Sequence, residues 1–275
     1  MKLLIFGGNG MAGHMLVDYF QRQDNVEVFY TTRNPKDSKG LILDALHDQL
    51  VETTIELVRP DIIINAIGIL NQFADQNILD AYYINGLLPH KLRKAADRTG
   101  ARLIHISTDC VFEGTRGSYK ESDTPDGTST YALTKALGEV DASGHLTIRT
   151  SIIGPEIRNE GIGLLNWFIK QQGRVQGYRN VLWNGVTTLE LARAISVLML
   201  SPLSGILHLA QPEPISKYEL LLLFKETWGL KEIDVIASDT PVQNRTLLPS
   251  RLDLHLSLLD YPRMMKELKR WMNGA

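Results

Sequence analysis

The sequence predicts an α/β fold, a doubly wound parallel sheet with a smaller C-terminal lobe. Three observations lead there. Leu3-Leu4-Ile5-Phe6 is an apolar run without alternation that breaks into glycines at 7, 10 and 13 and turns helical over 15–20. Short apolar runs then alternate with helix-patterned stretches as far as Gly154-Pro155, the rhythm of βαβ units. Beyond that point the rhythm becomes irregular.

With 275 residues, 44% hydrophobic and 22% charged, the chain can bury a large core. Its net charge of −2 and the lack of any Lys/Arg block give no footing for nucleic acid or an anionic membrane surface. No apolar run approaches a membrane span, and strand-like residues start directly after Met1. No signal peptide is read, and a cytoplasmic protein is expected. Cys110 is the single cysteine, which excludes an intramolecular disulfide and suits a reducing compartment. The seven histidines are scattered without ligand spacing, so no metal site is expected.

Gly7 allows a tight turn off the first strand, Gly10 lets the backbone approach a pyrophosphate, and Gly13 lets the next helix pack close to the sheet. That helix would point its free N–H groups and positive dipole end at phosphates. The spacing is G-x-x-G-x-x-G rather than the common G-x-G-x-x-G. Its place between a strand and a helix marks a dinucleotide site of Rossmann type. Residues 26–30 read as the second strand, ending at Thr31-Thr32-Arg33. The end of this strand meets the adenosine ribose, where a carboxylate would take the 2′-hydroxyl of NAD and an arginine the 2′-phosphate of NADP. Arg33 therefore points to NADPH, with NADH the alternative if it is a solvated loop residue.

A short strand at 41–44, a helix over 46–58 stopped by Pro60, and a buried strand over 61–68 follow. Residues 80–99 are helical in pattern, interrupted at Gly86 and Pro89. The strand over 102–109 delivers polar side chains at its carboxyl end, the edge where open α/β sheets hold ligands. We draw the dinucleotide-binding unit at 1–154, with a segment near 181–202 returning to it, and the substrate lobe at 155–275. In the second half, helices are expected over 164–172 and 189–200 and a strand over 205–210. A further helix starts at the capping box Ser216-Lys217-Tyr218-Glu219. His14 and His105 read as core histidines.

Tyr131 and Lys135 stand four apart on a helix running through Glu139, hence on one face. A phenol with a pKa of about 10 exchanges protons poorly at neutral pH, and an ammonium beside it would favour the phenolate. Such pairs arise by chance on many helices. This one follows a strand ending in Ser107-Thr108, in a chain that opens with the glycine turn, and that setting gives it weight.

On these residues the chain resembles the extended short-chain dehydrogenase/reductase superfamily, and within it the dTDP-4-dehydrorhamnose reductase group. The carriers are Gly7-Gly8-Asn9-Gly10-Met11-Ala12-Gly13, Ser107-Thr108-Asp109-Cys110-Val111-Phe112-Glu113-Gly114 and Tyr131-Ala132-Leu133-Thr134-Lys135. The loop 119–125 and the strand and turn 149–155 accompany them. The resemblance implies reduction of the 4-keto group of a nucleotide-linked 4-keto-6-deoxyhexose by NADPH. By it, Tyr131 protonates the carbonyl oxygen, Lys135 tunes Tyr131 and holds the nicotinamide ribose, and Thr108 hydrogen-bonds the carbonyl oxygen. Ser107 supports them or caps backbone. Gly7, Asn9, Gly10, Met11 and Gly13 are implied cofactor contacts, with Arg33, Asp44 (near the adenine), Ala66, Ile67 and Gly68. Asn85 matches a helix asparagine of many members, a structural job being equally open.

On the substrate side the resemblance implies Asp109 and Cys110. The smaller lobe offers Trp167, Trp183, Asn184, Thr187 and Arg245 to hold a nucleotide diphosphate and base, each with an ordinary packing alternative. Many dehydratases of the superfamily carry a glutamate where this chain has Cys110, so dehydration is disfavoured. Rhamnose-type reductases often have an aromatic there, and the cysteine reads as a small packing residue. Arg245 with 249–253 matches the family's segment only loosely, and a metal at a subunit contact is not carried over. The rival readings are an epimerase or dehydratase on the same substrates and a non-catalytic NADP-binding regulatory subunit. A homodimer is compatible with each.

Overall fold

A strand with neighbours along both edges and helices over both faces has to be apolar throughout. In the computed structural model, which describes residues 1–157, 161–253 and 256–274, the first strand is such an element. β1 (Lys2–Phe6) pairs in parallel with β2 (Glu27–Thr32) on one edge and β4 (Ile62–Asn65) on the other. Leu3 and Ile5 point into one core with Met15, Leu16 and Phe20 of α1 (Met11–Gln21). Leu4 and Phe6 point into the opposite one with Val51 and Ile55 of α2 (Asp48–Val58). All four strand residues are fully buried, each contributing about 1.5–3 kcal/mol relative to exposure.

The main sheet has seven strands. Their order is the edge strand Gly205–His208, β6 (Leu146–Arg149), β5 (Arg102–Ile106), β4, β1, β2 and β3 (Leu41–Ile42). Every pairing is parallel. Winding reverses between β1 and β4, and at that reversal the loops part and leave a crevice. The doubly wound sheet read from the sequence is the fold.

Three stretches differ from expectation. The strand expected over 205–210 does not belong to the small lobe's own sheets. It pairs with β6, from Gly205 against Leu146 to His208 against Arg149. Local pattern identifies a strand but not its neighbour. Residues 80–99 are not interrupted: Ile78–Ala81, a π-helical Tyr82–Leu87 and Leu88–Thr99 follow one another. Pro89 follows directly on the π-helical turn, where the hydrogen-bond register has already shifted (the Leu88 N–H donates to the Tyr83 carbonyl) and the ladder tolerates a missing N–H. The helix expected over 164–172 ends early, at Leu164–Ile169, because Gly173 with φ +67° opens a strand.

The smaller lobe pairs Gly173–Tyr178 with Ile233–Ser238 and sets Val181–Trp183 between Ile215–Ser216 and Gln243–Asn244. The capping box starts the helix Lys217–Trp228: Ser216 Oγ accepts from the Glu219 N–H at 3.1 Å, and Glu219 accepts from the Ser216 N–H at 2.9 Å. The helix Tyr261–Met272 is anchored on α1, where Trp271 Nε1 donates to Asp18 at 2.6 Å. Among the described residues no helix is long and apolar enough to cross a membrane.

Candidate active site

Loops leaving the carboxyl ends of β1, β2, β4 and β5 enclose a cleft of about 470 Å³. At one end lies the glycine turn. Gly7 sits at φ +86°, its N–H donating to Thr31 Oγ1 at 3.0 Å, and its carbonyl accepts from the Gly10 N–H at 2.9 Å. A Cβ on Gly13 would stand 2.0 Å from the Gly7 oxygen. Only glycine lets α1 begin this close to the turn, and the closeness leaves the helix N-terminus facing the cleft. Asn9, Gly10 and Met11 line this end, Arg33 and Asp44 line one wall, and Ala66, Ile67 and Gly68 the other. Arg33 is exposed. Asp44 Oδ1 accepts from the Leu46 N–H at 3.1 Å. Burial raises Asp37, yet hydrogen bonds from Tyr30 and Asn9 and from the Lys39 and Gly40 N–H groups hold it below its ordinary carboxyl value.

At the other end, the helix Thr130–Leu137 brings Tyr131 and Lys135 against β5. Ser129 caps it, its Oγ accepting from the Ala132 N–H at 3.1 Å. The Tyr131 phenol faces the Thr108 hydroxyl. Thr108 Oγ1 accepts from the Cys110 N–H at 3.1 Å and donates to Asp109 at 3.2 Å, capping the short turn Asp109–Val111. Burial pushes the phenol well above its ordinary value; Cys110 and Asp109 act in the same sense, and Thr108 against them. Lys135 Nζ donates to the Ile106 carbonyl at 2.8 Å, and burial pushes Lys135 down to about 8 against the pull of Glu139. Burial is the largest influence on this phenol and favours its protonated form, and Lys135 is not among the groups that shift it.

Ser107 lines the cleft, but its hydroxyl donates away from it, to Glu139 at 2.8 Å. Glu139 in turn accepts two 2.7 Å hydrogen bonds from Arg149. Asn85, on the π-helical turn, has a structural job: Oδ1 accepts from the Ile69 N–H at 2.8 Å, and Nδ2 donates to the Ile69 carbonyl at 2.9 Å and to Thr134 at 3.1 Å. It ties the loop after β4 to the Tyr131 helix.

Beyond Thr108 lie Asp109 and Cys110. Burial raises Asp109 although Arg245 and Lys217 pull it down, and pushes the Cys110 thiol up to about 12. Arg245 reaches this point, Nε donating to the Phe112 carbonyl at 2.9 Å and a terminal nitrogen standing 3.8 Å from Cys110 Sγ. Lys217 was not anticipated. Burial pushes it down to about 8, with Asp109 and Cys110 opposing, and its ammonium stands 5.5 Å from the Trp183 ring centroid. The capping box located its helix, but nothing local says that this helix begins opposite residues 109 and 110. Glu156, Ile157, Ile162 and Gly163 also line the cleft without having been anticipated.

The other lobe candidates, like Arg245 and Lys217, stand outside the cleft lining itself, and of them Trp183 touches Lys217. Trp183 is 3% exposed, packed in the core against Tyr261. Asn184 uses its amide on the Gln211 and Leu247 carbonyls at 2.8 and 2.7 Å and on the Leu247 N–H at 3.0 Å. Thr187 caps the helix Thr188–Leu198 through the Glu190 N–H at 3.1 Å. Trp167 lies on Leu164–Ile169, outside the lining.

A seven-stranded parallel sheet with a glycine turn at its reversal, and a Tyr-x-x-x-Lys helix beside a Ser-Thr strand end, marks this chain as an extended short-chain dehydrogenase/reductase, one of a class of oxidoreductases. Within that class the chain belongs to the RmlD substrate binding domain family, whose model matches residues 1–257. It is 27% identical over 259 residues to the spore coat polysaccharide biosynthesis protein SpsK of Bacillus subtilis, covering 90% of this chain and 87% of that protein. It is 31% identical over 157 residues to the dTDP-4-dehydrorhamnose reductase of Salmonella typhimurium, covering 55% of this chain and 51% of that one. The crystal structure of dTDP-4-dehydrorhamnose reductase from Bacillus anthracis in complex with NADP superposes with a TM-score of 0.83 at 19% identity, over 98% of this chain and 99% of that one.

Proposed function

We propose that this protein reduces the 4-keto group of a nucleotide-linked 4-keto-6-deoxyhexose with NADPH, NADH serving as the alternative donor. The observation that carries the reading is the buried Tyr131, kept protonated and facing Thr108, in the same cleft as the glycine turn. The residues fit a dinucleotide. Gly13, where a Cβ would clash with Gly7, seats the helix N-terminus at the cleft, Gly10 lines it without a side chain where a pyrophosphate would lie, and Arg33 offers a cation for a 2′-phosphate. Bound there, the reduced nicotinamide supplies the hydride to the carbonyl carbon.

Everything else falls to the chain. Tyr131 gives its hydroxyl proton to the carbonyl oxygen as the C=O π bond breaks, so the product is an alcohol and Tyr131 is left as phenolate until it regains a proton from water. Thr108 orients the carbonyl oxygen and stabilises its developing charge. Lys135 holds the nicotinamide ribose with the hydrogens it turns to the cleft. Asp109, Cys110, Lys217 and Arg245 surround the sugar side. Reading the same site as an epimerase or dehydratase is less well supported, because Arg33 favours NADPH over the tightly held NAD such enzymes usually keep, and for a dehydratase Cys110 stands where a carboxylate would be needed. A regulatory subunit would have no use for Thr108, Tyr131 and Lys135 together.

We take the working form to be a cytoplasmic homodimer. The support is the exposed Leu79, Leu133 and Leu137, at 84%, 48% and 56%, and sedimentation of the purified protein decides it. The function is tested by NADPH oxidation against dTDP-, UDP-, GDP- and CDP-linked 4-keto-6-deoxy sugars, with NADH in parallel. Turnover of at least one, lost in Tyr131→Phe, is the expected result. Silence across the panel while NADPH binds overturns the reading in favour of a regulator.

A further inference from the structure

Behind Lys135 the sheet carries polar side chains where its neighbours are apolar. Asn65 closes β4 and His105 stands opposite it in β5, both fully buried. Buried amide and imidazole groups are costly unless their polar atoms are satisfied. Here they are satisfied in one direction only. Asn65 Oδ1 accepts from the Ile67 N–H at 3.2 Å, which turns the amide nitrogen toward His105, 3.1 Å from Nδ1. Nδ1 is thereby the acceptor, and a neutral ring then carries its one hydrogen on Nε2. Nε2 faces Lys135 Nζ at 3.5 Å, while Nζ donates to the Ile106 carbonyl at 2.8 Å. The lysine nitrogen thus meets an acceptor on one side and a donor on the other.

We propose that Asn65 and His105 are a positioning pair for Lys135: the amide fixes the imidazole tautomer, and the imidazole Nε2–H keeps the lysine's own hydrogens off that side and turned to Ile106 and the cleft. A donor aimed at Nζ suits the neutral amine, whose lone pair can receive it, and disfavours the ammonium. Burial holds His105 well below its ordinary value, with Lys135 and His90 adding to it, so the ring stays neutral. The groups acting on the pair are His105 from β5, His90 from Leu88–Thr99, and Glu139 just beyond the Tyr131 helix, the one that favours the charged lysine.

The kinetic consequence rests on the reductase reading above; the tautomer does not. Long-range proton–nitrogen NMR of the labelled protein should find the His105 hydrogen on Nε2 at neutral pH. A hydrogen on Nδ1, or on both nitrogens, overturns the proposal whatever reaction the protein performs. Asn65→Asp would accept from Nδ1 instead, move the hydrogen there, and leave Nε2 to accept from the lysine ammonium. The alkaline limb of kcat/KM should then rise by a pH unit or more, a tenfold change in the acidity of Lys135. Asn65→Ala, which removes the donor to Nδ1, should move the limb the same way by less. A limb that stays in place in folded variants overturns the pairing. If the wild type turns over no keto sugar, the reductase reading fails alone, and the pH dependence of NADPH binding in the same variants takes the place of the rate.

Discussion

Replacing Glu139 by alanine should cost the fold about 3–5 kcal/mol, the range for stranding one partner of a buried ion pair. The Arg149 and Glu139 side chains are 2% and 5% exposed and meet in two hydrogen bonds of 2.7 Å, with the Ser107 hydroxyl adding a third to the carboxylate at 2.8 Å. Without Glu139 the buried guanidinium keeps His208 Nε2 at 3.3 Å, the Glu121 carbonyl at 3.4 Å and the face of Phe112 at 5.0 Å, none of them an anion. For a chain near this size each kcal/mol moves the melting midpoint by about 2–4 °C, so the midpoint should fall by roughly 6–20 °C. Thermal and urea unfolding followed by circular dichroism measure it. Glu139→Leu combined with Arg149→Met should recover most of the loss, because no desolvated charge remains. A single-variant loss below about 1 kcal/mol, or a double variant no better than the single one, would refute the argument that uncompensated charge governs this junction.

Tyr131→Phe should lower turnover by about 10²–10⁴-fold while NADPH affinity stays within about twofold, because the hydroxyl acts on the developing alkoxide; titration of cofactor fluorescence separates the two, and equal loss of binding counts against the role. Arg33→Ala should weaken NADPH by about tenfold and NADH hardly at all, as for the loss of a charge-assisted contact to phosphate; an unchanged cofactor preference would make the arginine a bystander. Burial, helped by Arg149 and opposed by Glu121, pushes His208 down to about 4. The unfolded ring takes up a proton near its ordinary value, so this contribution to stability is complete above about 6.5 and is lost as pH falls toward about 4. Melts of wild type and His208→Gln across that window should diverge at the high end and converge at the low end, and parallel curves would discount His208.

The parts of the site legible in the sequence are those whose meaning is local. A strand, a glycine turn and a helix start lie within a dozen residues, so Gly7, Gly10 and Gly13 can be read without knowing what packs beside them. Tyr131 and Lys135 share a face by helical spacing alone. What was not legible depends on encounters between distant segments. Lys217 reaches Asp109 and Cys110 from a helix more than a hundred residues further along. The loop tie of Asn184 to Gln211 and Leu247 and the contact of Trp183 with Lys217 likewise join segments distant in sequence, whereas Thr187 caps the helix that follows it. The burial that raises Tyr131 cannot be read from helical spacing.

The edge strand has a consequence for how the molecule is made. β6 is buried along all four residues, yet its outer neighbour, Gly205–His208, is synthesised more than fifty residues later. At about 5–20 residues per second the ribosome leaves the backbone groups of that edge unpaired for roughly 3–12 s, long enough for a second nascent copy to pair with them. Slower translation across 150–208 should therefore lower the yield of soluble protein.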